Sequence, residues 1–445
     1  MKDKVAIGLA VIVVLIAFFL TGCFGGQTTN EAEENEGSIT NSITVLVEGG
    51  SPAFRVARET AEEFKELTGY EVNIETAPYI GVYDKLRAEV ATRTGSYDVI
   101  TIDILWFPAL AGGLEPIDDL ITTDVEKDLF PGLISGGYYN DHVLGLPVWT
   151  NAKTLLYRKD LFEDEYNQKI FKELFGYELQ PPSSWKEYRN AAKFFTQDTT
   201  GDGVTDFYGT TVFGANNGDT VASWLDHALQ AGAGPLVIGE DGEVLVNTKP
   251  YIEALEMLTK LVHEDNSVPL DALSIASQET SKFFWDGKAA MMLAWGHFYM
   301  RSNDPTISKV AGNVGAAPMI TGSAGIGTIP GPWYQVIPKS SKEKDVAKKY
   351  IAFIYEKNEL FMETIGVAAR KSVLEKYSKK NGYEHLEPLM TNLSSAQTQN
   401  RPPIIEWQQI ESEALVPAVQ YALSGQKTPR EALDWAAEII EGMIR

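Results

Sequence analysis

The chain has 445 residues, 44% of them hydrophobic and 11% aromatic, and a formal charge of −23 at neutral pH. That composition is globular rather than disordered, and the acidity excludes nucleic acid, whose phosphates need clustered Lys and Arg; it also disfavours anionic lipid heads. A single cysteine permits no internal disulfide, so stability rests on the core, and the length fits two or three domains.

Lys2 and Lys4 precede an unbroken apolar run from Val5 to Leu20, and Leu20-Thr21-Gly22-Cys23 follows. A basic start, a short apolar core and small residues before a cut point read as a secretory signal over 1–22. The run falls short of the ~20 residues a membrane span needs. Cys23 resembles the lipobox cysteine of exported lipoproteins, which takes a lipid and becomes the new N-terminus. An uncleaved anchor with Cys23 incidental is the alternative, and either arrangement holds the remaining chain outside a membrane. Residues 23–42, rich in Gly, Thr, Asn and Glu, read as a flexible tether.

The folded region starts at Ile43, where Ile43-Thr44-Val45-Leu46-Val47 reads as a buried strand. Glu48 to Pro52 breaks it, and Phe54, Ala57, Ala61, Phe64 and Leu67 carry helical spacing up to Gly69. A strand from Tyr70, a helix over about 81–93 and a strand over 97–102 continue the alternation, which predicts a parallel or mixed α/β sheet. Ligands settle in loops at the carboxyl ends of such strands, here Glu48–Ser51 and the segment with Asp103 and Trp106. Further on, Leu155-Leu156-Tyr157 reads as a strand, Ser184 to Glu187 as a capping box, 251–263 as a helix and 283–293 as an apolar patch ending in a strand. Ser340 to Glu343 caps the next helix. Thr428-Pro429-Arg430-Glu431 opens the last one.

In this order the segments Thr44–Gly69, Tyr97–Asp118, Leu146–Leu161 and Gly327–Tyr355 resemble the extracellular solute-binding proteins of ABC importers, in the maltose/trehalose-type family 1. The resemblance covers nearly all of the chain after the tether. It implies a two-lobe periplasmic-binding-protein-like α/β fold with hinge crossings and a central ligand cleft. Lobe 1 is expected over 43–148 plus 330–371 and lobe 2 over 149–329 plus 372–445, with crossings near Trp149, Ile329 and Lys371. It further implies a monomer that captures a sugar or oligosaccharide and hands it to the permease subunits of the importer.

A sugar offers hydroxyls on its rim and weakly polar C–H faces, so aromatic platforms and carboxylates or amides suit it. Of the nine tryptophans, Trp185, Trp224, Trp285 and Trp435 fall in helices and read as structural. Trp106, Trp295 and Trp407 match positions where the family carries stacking aromatics. Trp149 and Trp333 lie at expected crossings, as hinge or cleft wall. Glu48 and Ser51 match the loop that bonds sugar hydroxyls, Asp103 ends a strand, Asn151 stands where relatives often have a carboxylate, and Arg370 matches a position near the cleft. Capping or turn roles are the alternative for each polar residue.

Asp198-Thr199-Thr200-Gly201-Asp202-Gly203-Val204-Thr205-Asp206 resembles the first nine positions of an EF-hand loop, with Asp198, Thr200, Asp202, the Val204 carbonyl and Asp206 as calcium ligands. Position twelve is Gly209 instead of Glu, and 208–212 reads as strand. No cofactor is otherwise required. The glycines of 321–328 lack a following Gly-Lys-Ser/Thr, the five histidines have no zinc spacing, and no Gly-x-Ser-x-Gly elbow occurs. A secreted glycoside hydrolase is the enzymatic competitor. A polyamine, a metal or another small solute is the competing ligand, and a non-catalytic receptor is the expectation.

Overall fold

The computed structural model describes residues 41–139 and 141–444. The expected signal, Cys23 and the tether up to Thr40 lie outside the described residues. Among the described residues, no helix is long and apolar enough to cross a membrane.

Ten strands fall into three sheets: β1 (Ser42–Glu48), β2 (Glu71–Ala77), β3 (Val99–Asp103), β4 (Tyr138–Tyr139), β5 (His142–Val143), β6 (Gly145–Trp149), β7 (Lys153–Arg158), β8 (Met291–Trp295), β9 (Val314–Ala317) and β10 (Trp333–Val336). The first sheet runs β2-β1-β3-β10-β6 and is mixed, with β1 parallel to β2 and β3 and with β10 antiparallel to β3 and β6. The second, β8-β7-β9, is antiparallel. β4 and β5 form a separate ribbon.

Local signals set most boundaries. Ser51 Oγ accepts the Phe54 N–H at 3.2 Å, Pro52 takes the first helical position, and Gly69, at φ 78°, ends the Pro52–Thr68 helix in a left-handed cap. Thr428 and Glu431 close the expected capping box on the Pro429–Met443 helix. Two expectations needed correction. The helix after Ser340–Glu343 begins only at Lys344, because Ser341 Oγ turns to Asp98 at 2.6 Å and so bonds outside the helix. Residues 208–212 form no strand: Tyr208 bridges only Ala289, while Gly209 N–H donates to Thr196 Oγ1 and Thr210 N–H to Ser267 O. Tyr208 and Gly209 pair with Lys288 to Met291, but Thr210 turns to Ser267, so the pairing stops at a single bridge.

Two large buried clusters build the core. One gathers β1, β6, the Lys344–Glu356 helix and the helices Lys371–Tyr377 and Leu386–Leu393. The other gathers the helices Gly218–Gln230 and Lys249–His263 with the C-terminal helices from Trp407 onward. Val373, Leu374, Leu386 and Leu389 belong to the first cluster and Trp407 to the second. Along the chain the last change between these two clusters falls between Leu393 and Ile404. Trp224 and Trp285 are core residues, with their indole N–H groups on Tyr251 O at 3.0 Å and Ser302 Oγ at 2.9 Å.

Candidate ligand-binding cleft

Register aligns the site across the first sheet. Trp333 pairs with Asp103 on one side and Trp149 on the other, placing three side chains in a row at the carboxyl ends of β3 and β6. In the second sheet Lys153 pairs with Trp295 at one edge. A cavity of about 770 Å³ is lined from both edges, by Glu48, Asp103, Trp106, Trp149, Asn151, Trp295 and Trp333 among the residues singled out in the sequence.

The aromatic rings are unequal. Trp106 is 1% exposed, covered by Tyr79 at 4.9 Å and Tyr83 at 5.6 Å between centroids. Trp149 is 4% exposed, stacked between Trp333 at 5.1 Å and Phe361 at 5.4 Å. Trp295 and Trp333 keep partly open faces. Gly331 permits the approach of Trp295, since a Cβ there would stand 3.2 Å from the ring. The Trp295 indole donates to Asp219 Oδ1 at 2.9 Å, and the Lys153 ammonium lies 4.6 Å from its ring centroid.

Three of the sequence candidates sit elsewhere. Trp407 is 1% exposed in the second core cluster, because Trp407, Ile410 and Ala414 share the apolar side of their helix. Its polar neighbours Gln408, Gln409 and Glu411 line the cavity instead. Ser51 spends its hydroxyl as the cap described above. Arg370 pairs with Asp128 at 2.7 Å and Glu356 at 3.0 Å and does not line the cavity.

The structure adds residues that local patterns scarcely signal. Asn217 caps the Gly218–Gln230 helix by accepting the Asp219 N–H at 3.0 Å, which presents Asp219 at the cavity. Glu411 begins a π turn over Glu411–Leu415 and lies close to Gly218, where a Cβ would stand 2.9 Å from Glu411 Oε2. Arg401 is 4.0 Å from Glu411. The Asn-Gly-Asp-Thr cap before an apolar run was the only sequence signal for any of these.

Electrostatically the cavity is acidic. Burial, reinforced by Asp103, raises the Glu48 carboxyl above its ordinary value. Burial likewise raises Asp103 and Glu411, with Arg401 opposing it in both. Asp103 accepts the Leu105 N–H at 3.0 Å and the Tyr79 hydroxyl at 3.1 Å. Asn151 faces His297, which burial holds neutral with its pKa lowered to about 3. The arrangement therefore offers strong acceptors, amides and flat rings. Such a set suits a hydroxyl-rich ligand.

The Asp198–Asp206 loop closes on itself. Asp198 accepts the N–H groups of Gly201 at 2.7 Å and Gly203 at 2.6 Å, and Asp206 accepts the Thr199 N–H at 2.7 Å. No group of three or more His, Cys, Asp or Glu among the described residues is placed to hold a metal ion.

The model of the bacterial extracellular solute-binding protein family matches residues 51–358. The chain belongs to that family. Its relatives include a probable ABC transporter-binding protein of Deinococcus radiodurans, 21% identical over 91% of this chain and 93% of that one. The arabinooligosaccharide-binding protein of Bacillus subtilis is 21% identical over 98% of both chains. The fold is similar to that of maltose-bound MalE3 of T. maritima, with a TM-score of 0.73 and 23% identity, over 90% of this chain and 99% of that one. The mixed α/β fold described above agrees with that likeness.

Proposed function

We propose that this solute-binding protein captures a sugar or oligosaccharide in the cleft and delivers it to an ABC importer, without catalysing a reaction. The observation that carries the reading is the pairing of two half-open indoles, Trp295 and Trp333, with Glu48, Asp103, Asp219 and Glu411 around one cavity. Rings cover sugar faces and carboxylates accept hydroxyls. The volume of about 770 Å³ suits a ligand larger than one sugar ring. Relatives that bind arabino-oligosaccharide and maltose support the ligand class. A lipid on Cys23 would keep the receptor at the outer face of the membrane, and residues 24–42 would give the lobes reach toward the permease.

Intrinsic fluorescence titrated with a panel of mono-, di- and oligosaccharides and polyols, with spermidine as the cationic control, tests the reading. A saturable change with at least one neutral carbohydrate is expected. A response to spermidine alone would overturn it, and product formation during long incubation would replace the receptor by a hydrolase.

A further inference from the structure

A second cavity, of about 740 Å³, lies behind the cleft. The partition between them is thin: Leu105, Gly331 and Arg401 line the cleft, while Ile104, Pro330 and the same Arg401 line the rear cavity. Ile104 N–H donates to Pro332 O at 3.3 Å and ties two of these segments together. Pro131, Ser135, Ser394 and Ala396 are exposed at the rim, so the rear cavity opens to solvent.

The two cavities have opposite charge. The cleft holds several carboxylates against one cation, whereas among the described residues the only charged ones lining the rear cavity are Lys371 and Arg401. In a chain of charge −23 an all-cationic cavity is unexpected from composition. Neither cation makes a close ion pair, although Arg401 also faces Asp103 and Glu411 across the partition. Lys371 donates to Lys127 O at 3.2 Å and lies 5.3 Å from the Phe130 ring centroid. Asp128, whose main-chain carbonyl accepts the Lys371 N–H, has its carboxylate taken by Arg370 and Ser372. The Arg401 side chain is only 8% exposed, and its closest carboxylate contact is the 4.0 Å approach to Glu411. Its Nε is buried with no partner. A buried guanidinium with an unmet donor is costly unless something supplies an acceptor.

We propose that the rear cavity is a second binding site, for a small hydroxylated carboxylate such as a sugar acid. The Arg401 fork suits a carboxylate and the Lys371 ammonium adds charge. The volume exceeds what an inorganic ion fills. Phe130, Leu133 and Leu393 cover an organic body, and Asn400, which donates to Gly132 O at 2.7 Å and keeps its amide oxygen unpartnered, calls for a hydroxyl donor. The site shares Arg401 with the cleft but does not rest on the sugar reading of the cleft.

Calorimetry with D-galacturonate, and D-galactose as the uncharged control, tests it on the whole protein. Galacturonate is expected to bind and galactose not to compete. Lys371→Gln should weaken galacturonate at least tenfold, Lys371→Arg should retain it, and Trp295→Ala, on the cleft side of the partition, should leave it within about twofold. No heat with galacturonate at 10 mM ligand, on the order of the weakest useful affinity, overturns the proposal. So does unaltered affinity in Lys371→Gln, or loss in Trp295→Ala, either of which puts the anion in the cleft.

Discussion

The Lys153 ammonium and the Asp226 carboxylate meet at 2.9 Å where their side chains are 1% and 0% exposed. Asp226 also accepts the Thr328 hydroxyl at 3.0 Å and the Ile329 N–H at 2.6 Å, so one carboxylate joins β7, the Gly218–Gln230 helix and the irregular segment at 328–329. Lys153 in turn lies under Trp295. The floor of the cleft is thus pinned by a buried ion pair whose remaining acceptors are satisfied.

Lys153→Met should therefore destabilise the protein by about 3–5 kcal/mol, because it strands Asp226 as an unpaired buried charge. Urea unfolding measures this. The double variant Lys153→Met with Asp226→Leu should recover part of the loss, since removing both charges removes the desolvation cost but leaves the Thr328 hydroxyl and the Ile329 N–H without their acceptor.

Trp295→Ala removes both a platform and the bond to Asp219. Affinity for whichever carbohydrate the panel identifies should fall at least tenfold, about 1.4 kcal/mol. Trp407→Phe, a change in the core, should lower stability and leave affinity within about twofold, roughly 0.4 kcal/mol. Equal effects of the two on calorimetric affinity would contradict the assignment of the platforms.

Ligand affinity should fall on acidification sooner than ordinary carboxylates would give. Glu48, Asp103 and Glu411 are raised, chiefly by burial, so they take up protons above their ordinary values near ~4 and cease to be full acceptors. Affinity is expected to be flat above that window and to decline through it as pH drops. Glu411→Gln should weaken binding at neutral pH and flatten the decline. A profile identical to the parent's would remove Glu411 from the site.

Buried histidines, His297 and His385 among them, contribute to acid stability. Burial lowers His297 to about 3 and His385 to about 4 from 6.5. The unfolded chain binds protons at these positions first as pH falls below about 6.5, so stability is complete above that value and is lost progressively toward 4, by up to ~1.4 kcal/mol for each histidine per pH unit. His385→Gln should reduce the steepness of that loss in urea titrations between the ordinary histidine value of 6.5 and the lowered His385 value of about 4.

Metal removal should leave the fold in place. The carboxylates of Asp198 and Asp206 are already bonded to N–H groups of their own loop, and Gly201 to Val204 are exposed and bury no core. Excess EDTA is expected to change the thermal midpoint by less than about 1 °C, well under the shift that 1 kcal/mol produces. A fall of several degrees, reversed by calcium, would instead make this loop a structural calcium site.

Much of the architecture was legible in the chain. β-branched runs such as Ile43–Val47 have no other low-energy use than a buried strand, and Ser51, Gly69 and the Thr428–Glu431 box act through neighbours a few residues away. Glu48 and Asp103 were readable for the same local reason, as polar residues ending apolar strands. Other features needed distant partners. Arg401, Glu411 and Asp219 come together only because helix packing folds residues far apart in sequence against one cavity. Trp407 is chemically as good a ring as Trp295, and only packing turned it into the core and Glu411 toward the cavity. Local hydrogen bonds and periodicity act over a few residues and so are written in sequence. Which face of a side chain meets solvent depends on the whole fold, and that the tertiary structure alone decides.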